Sequence, residues 1–217
     1  MIKIGQIGIG HNHGHEKMTT VQKFPELFEV VGYAEENEEW IRRRGEKPGY
    51  VNLPRLSIDE VIEKSDAILV ETDVWNLTEI AQKCIDAGKH IHMDKPASGT
   101  LEEFRHLLDT AKEKNLIVQL GYMYRYNPEI QRMLRDIENG KYGDIYSVEC
   151  HMSCRHPDEK RAWMSKFPGG MMFFLGCHLV DIIYRIQGEP EEIIPLNCVT
   201  GTEGLQIGED FGFAVFR

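Results

Sequence analysis

The stretch IKIGQIGIGHNHGHEK, residues 2–17, carries an alternating apolar run into Gly8-Ile9-Gly10 and then into a polar segment of helix-forming residues. A strand that enters closely spaced glycines and leaves as a helix is where a dinucleotide pyrophosphate binds. Gly8 permits the turn, Gly10 lets backbone approach phosphate, and the helix N-terminus offers free N–H groups at its positive end. The full G-x-G-x-x-G spacing would put glycine at position 13, but this chain has His13 there and Gly14 one residue later. That shift predicts a looser approach of helix to strand. The same residues include His11, His13 and His15, so a metal is the competing reading. Alternate residues across a loop-to-helix transition have no assured common face. The imidazoles are therefore read as polar loop groups, one or two of which hydrogen-bond cofactor or substrate, and no tightly bound transition metal is expected.

Outward from this loop, short apolar runs alternate with amphipathic helical stretches up to residue 123. FEVVGYA (28–34), AILVET (67–72), KHIHMD (89–94) and LIVQLGYM (116–123) read as strands. Ser57 with Glu60, and Thr100 with Glu103, are capping boxes that open helices. The expected fold is α/β, a doubly wound parallel sheet over residues 1–123. Glu35 closes the second strand near the place where an acidic group accepts from the adenosine ribose hydroxyls. It would repel a 2′-phosphate, and Glu36-Asn37 supplies no basic group to receive one, so NAD is expected over NADP.

Residues 124–217 change character. Asn127 before Pro128 signals a helix start, DIYSVECHMSC (144–154) alternates like a half-buried strand, and FFLGCHLVDIIYRIQG (173–188) reads as a helix. With EEIIPLNCV (191–199) and DFGFAVF (210–216) as further strands, this region is expected to be a smaller, truncated α+β domain with a mainly antiparallel sheet.

Composition narrows the function. With 35 acidic against 25 basic side chains in 217 residues, the net charge of -10 repels nucleic acid and anionic membrane. No apolar run approaches the roughly 20 residues that span a bilayer. The five cysteines are odd in number and scattered, which suits reduced thiols, and a cytoplasmic location is expected.

AGKHIHMDKPAS (87–98) resembles the motif AGKHV-x-x-EKP of the Gfo/Idh/MocA family of NAD(P)-dependent oxidoreductases. GYMYRYNP (121–128), GKYGDIYSV (140–148) and PGGMMFFLGCHLVDIIYRIQGEP (168–190) resemble further motifs of that family, in the family's order. The resemblance implies hydride transfer between NAD(H) and a hydroxyl/carbonyl carbon of a small sugar, polyol or related metabolite. It implies Lys95 as the proton-transferring lysine and His178 as a second-domain acid/base or hydrogen-bond donor. Gly8, Gly10, His11, Asn12, His13, Glu35, Thr72, Asp94 and Lys95 are the implied cofactor contacts; Arg125, Trp163, in a loop, His178 and Asp181 are the implied substrate contacts.

Three positions depart from the family pattern. Asp94 replaces a glutamate, Phe174 stands where an aspartate is usual, and Leu77 where a histidine is usual. Phe174 keeps open an alternative function, a cofactor-binding but catalytically weak sensor or partner subunit. Family members also run longer, with a broad second-domain sheet. A homo-oligomer, a dimer through the second-domain strands, is therefore expected.

Overall fold

The computed structural model describes residues 1–201 and 208–217. They form two compact units, Met1–Gly121 and Tyr122–Arg217.

The first unit alternates strands and helices in chain order: β1 (Ile2–Ile7), α1 (Gly14–Val21), β2 (Phe28–Ala34), α2 (Glu38–Arg44), β3 (Arg55–Leu56), α3 (Ile58–Lys64), β4 (Ala67–Val70), α4 (Leu77–Asp86), β5 (His90–Met93), α5 (Leu101–Glu113) and β6 (Val118–Leu120). All strand pairs are parallel and the order is β3-β2-β1-β4-β5-β6. This is the doubly wound arrangement expected. The order reverses between β1 and β4, so the crevice beyond their carboxyl ends is where such sheets take ligands. Ile4, Ile9, Met18, Tyr33, Tyr50 and Leu69 form a core cluster between sheet and helices that anchors both sides of the glycine loop. Local chemistry starts the helices as the sequence indicates. Ser57 and Thr100 each accept from the backbone N–H three residues on, and Glu60 and Glu103 reach back to close both capping boxes.

The second unit holds α6 (Pro128–Glu138), α7 (Asp158–Met164), a π-helical turn (Met172–Gly176) that continues into α8 (Cys177–Gln187), β7 (Ile193–Pro195) and β8 (Ala214–Phe216). The Asn127 side chain accepts from the N–H groups of Glu129 and Ile130, with Pro128 at the first helical position. β7 and β8 pair antiparallel, and an isolated bridge joins Cys198 to Phe211. The strand expected over 144–154 is absent. Those residues have no ladder partner among the described residues, and Tyr146 is 98% exposed. Alternation marks two faces of an extended chain, but a strand also needs a neighbour for its backbone groups.

Candidate active site

The glycine loop is built from both sides. Gly8 has φ 86°, and a Cβ there would sit 2.4 Å from Thr72 Cα, so only glycine fits between β1 and the end of β4. Beneath it the fully buried Gln6 donates from Nε2 to the Gly8 carbonyl at 2.8 Å and to the Tyr50 hydroxyl at 2.7 Å. The sequence reading missed this brace; its one signal is an amide at an inward position of an otherwise apolar strand. The expected looser packing is not found. A Cβ on Gly14 would meet the Tyr50 hydroxyl at 2.8 Å and Gln6 Nε2 at 3.0 Å, so Gly14 makes the close approach one residue later.

Several features fit a dinucleotide here. The N–H groups of Gly10 and Asn12 have no protein acceptor among the described residues, and both lie at the α1 end of the loop. Such orphan donors suit phosphate oxygens. Glu35, directly after β2, accepts from Ile9 N–H at 2.9 Å and Asn37 N–H at 2.8 Å. A cleft of about 320 Å³ beside it is lined by Gly8, Glu35, Trp40, Ile58, Thr72 and Trp75, an acidic edge with flat apolar walls. Glu36-Asn37 supplies no basic group, but the fold brings two guanidinium groups to this segment from elsewhere in the chain. Arg44 of α2 donates to the carbonyls of Ile9 and Gly10 at 3.1 and 2.7 Å while stacked on Trp40 at 4.6 Å, and Arg55 donates to the Glu35 carbonyl at 2.8 Å. A helix turn and a neighbouring strand bring in what Glu36-Asn37 lacks.

Asp94, at the end of β5, links this loop to Lys95. Its Oδ1 accepts the Lys95 backbone N–H at 2.7 Å. Its Oδ2 meets His11 Nδ1 at 3.1 Å, His13 Nδ1 at 3.0 Å and the Lys17 ammonium. Lys17 Nζ also donates to Glu71 Oε1 at 2.7 Å. Both carboxylates are fully buried, and Lys95 is 2% exposed. Burial works against the charge on Asp94, yet donation from His11 and His13 and the Lys17 charge outweigh it and hold the carboxyl well below its ordinary range. Glu71 goes the other way, pushed up to about 8 by burial and by Asp94, against the pull of Lys17. Burial lowers His11. Alternation by itself assured the histidines no common face, and the fold supplies one for two of them: His11 and His13 converge on Asp94. His15 is not part of that group.

In the second unit, His178 is buried at the start of α8, with Tyr122 and Tyr124 edge-on at 5.9 and 5.2 Å. Arg125 Nε donates to both Asp181 oxygens at 3.0 and 2.9 Å, so each of these two residues has the other as partner. Trp163 lies in α7 rather than in a loop. It packs edge-on against Phe167 and Phe174 at 4.8 and 4.9 Å, with Lys160 Nζ 3.6 Å above its ring. Phe174 is 4% exposed and Leu77 fully buried, so both substituted positions serve packing.

A doubly wound sheet with an orphan-donor glycine loop and an acidic residue directly after β2 is the arrangement of dinucleotide-binding folds. The family described as "Oxidoreductase family, NAD-binding Rossmann fold" matches residues 2–122, and the GFO/IDH/MocA C-terminal domain matches residues 130–204. The chain belongs to the Gfo/Idh/MocA oxidoreductase family. It is 28% identical over 194 residues to glucose-6-phosphate 3-dehydrogenase of Bacillus subtilis, covering 86% of this chain and 54% of that protein. To myo-inositol 2-dehydrogenase of Thermotoga maritima it is 24% identical over 197 residues, covering 88% of this chain and 56% of that protein. The chain thus spans about half the length of these curated relatives. In fold it resembles the WlbA dehydrogenase from Bordetella pertussis, solved in complex with NADH and UDP-GlcNAcA. The TM-score is 0.83 at 20% identity, over 100% of this chain and 67% of that one. No helix among the described residues is long and apolar enough to cross a membrane.

Proposed function

We propose that the protein transfers hydride between NAD(H) and a hydroxyl/carbonyl carbon of a small sugar, polyol or related metabolite. The observation that carries this reading is Asp94, whose two oxygens join the glycine loop to the backbone of Lys95. That link fixes the lysine beside the loop that suits the pyrophosphate. Bound dinucleotide supplies the carbon that gives or accepts hydride. The chain's own part is proton transfer and orientation. Lys95 Nζ takes the hydroxyl proton as the alcohol is oxidised and returns it in the reverse direction. Gly10 and Asn12 hold phosphate, Thr72 backs the turn, and Glu35 takes the ribose hydroxyls, which favours NAD over NADP. His178 is the second unit's candidate for a hydrogen bond to substrate. Arg125 and Asp181 serve that unit by pairing with each other, and Trp163 by packing against Phe167 and Phe174. The sugar-type substrates named for the relatives support the substrate class.

The five free thiols suit a reducing compartment, so we place the activity in the cytoplasm. The exposed Ile193, Ile194 and Val215 of the β7–β8 pair support a homodimer through these strands. Phe174, packed where an aspartate is usual, favours a second reading as a cofactor-binding subunit of low activity. Fluorescence titration with NADH, followed by a turnover screen over polyols, sugars and sugar acids, separates the two. NADH binding with turnover supports the enzyme, binding without turnover supports the subunit, and absence of binding defeats both.

A further inference from the structure

His11, His13 and Asp94 each offer a ligand atom, and these atoms lie within 4.8 Å of one another. The Nδ1–Oδ2 separations of 3.0 and 3.1 Å are close to the roughly 3.3 Å expected between donors about 2.05 Å from one tetrahedral metal. Two further observations point to a cation. Asp94 Oδ2 is approached by three nitrogens, from His11, His13 and Lys17, whereas a carboxylate oxygen has about two lone pairs to share among them. The ring of His11, 2% exposed, keeps Nε2 buried without a partner, and Glu71 Oε2, also buried and without a hydrogen bond, lies 3.8 Å from His11 Nδ1. On the side of the cluster that a metal would occupy, protein groups leave Glu71 Oε2 unmet and one nitrogen too many on Asp94 Oδ2.

We propose that His11, His13 and Asp94 form a binding site for a divalent transition metal of the zinc class, one ring nitrogen from each histidine and one oxygen from Asp94. Two imidazoles and a carboxylate are a donor set that zinc accepts, and the Glu71 carboxyl lies beside it, 3.8 Å from His11 Nδ1. The metal would tie the glycine loop to the turn that carries Lys95. Lys17 competes with it. Its ammonium reaches Asp94 and Glu71 on a flexible stem, with the side chain 21% exposed, and must swing away as metal enters.

The test is calorimetric titration of the EDTA-stripped full chain with Zn²⁺, with Co²⁺ absorption in the visible as a second readout of tetrahedral coordination. The expected result is one Zn²⁺ per chain. His13→Ala and Asp94→Asn should each weaken binding by about 10–100-fold or more, and Lys17→Met should tighten it. Circular dichroism melts establish that each variant is folded; should Asp94→Asn fail to fold, His13→Ala decides. No stoichiometric uptake by the natural chain overturns the proposal. So does uptake by Lys17→Met alone, because the ammonium is then the resident cation. Uptake that His13→Ala leaves unchanged overturns it as well, by placing the metal elsewhere. NADH titration of the stripped chain reports on the dinucleotide reading separately.

Discussion

Lys17 Nζ sits 2.7 Å from Glu71 Oε1 and also donates to Asp94, so one ammonium serves two fully buried carboxyl groups. One positive charge balances one negative charge, and of the two groups Glu71 is the one pushed up, to about 8 from an ordinary 4.5. Between those values the folded protein holds a proton that the unfolded chain has released. Stability should therefore fall as pH rises from about 4.5 to 8, with a slope of at most about 1.4 kcal/mol per pH unit from this group. Lys17 and Asp94 act on it directly, Tyr50 feels its charge, and His11 Nδ1 lies 3.8 Å away. Glu71→Gln cannot release the proton, so its melting temperature should stay flatter than that of the natural chain from pH 5 to 8.5. Parallel profiles would show that Glu71 does not titrate in this range.

Glu35 faces the cleft with Arg44 and Arg55 beside it. NADH should bind more tightly than NADPH. Glu35→Ala removes the ribose acceptor and leaves the guanidinium groups, so the preference should move at least tenfold toward NADPH. Fluorescence titration with both dinucleotides measures this, and tighter NADPH binding by the unaltered chain would contradict the assignment.

Lys95→Met removes the proton carrier while keeping an unbranched side chain in a buried place. Turnover should fall by about 10²–10⁴ with NADH affinity retained. Full turnover in the variant would take Lys95 out of the mechanism.

Gly14→Ala tests the close approach of α1 to the loop. Its Cβ would collide with the Tyr50 hydroxyl and with Gln6 Nε2, which donates to that hydroxyl and to the Gly8 carbonyl. A loss of about 1–3 kcal/mol is expected, together with weaker NADH binding. A melting temperature equal to that of the natural chain would mean that Tyr50 yields without cost.

What the amino-acid order determined by itself is local or periodic. The caps at Ser57, Thr100 and Asn127 join groups two or three residues apart, and the parallel sheet follows from alternating apolar runs and helices. The glycine turn and the acidic strand end at Glu35 were legible for the same reason. Tertiary structure decided the rest. Gln6 meets Tyr50, and Lys17 meets Asp94, across 44 and 77 residues, and no short-range pattern marks either pair. Arg44 reaches the glycine loop only because α2 folds back over it. Residues 144–154 alternate as a strand would and yet have no ladder partner among the described residues. Spacing along a chain sets which faces side chains take, but which groups share a buried site depends on where the sheet brings distant segments, and there the charge balance of Asp94, Glu71 and Lys17 is settled.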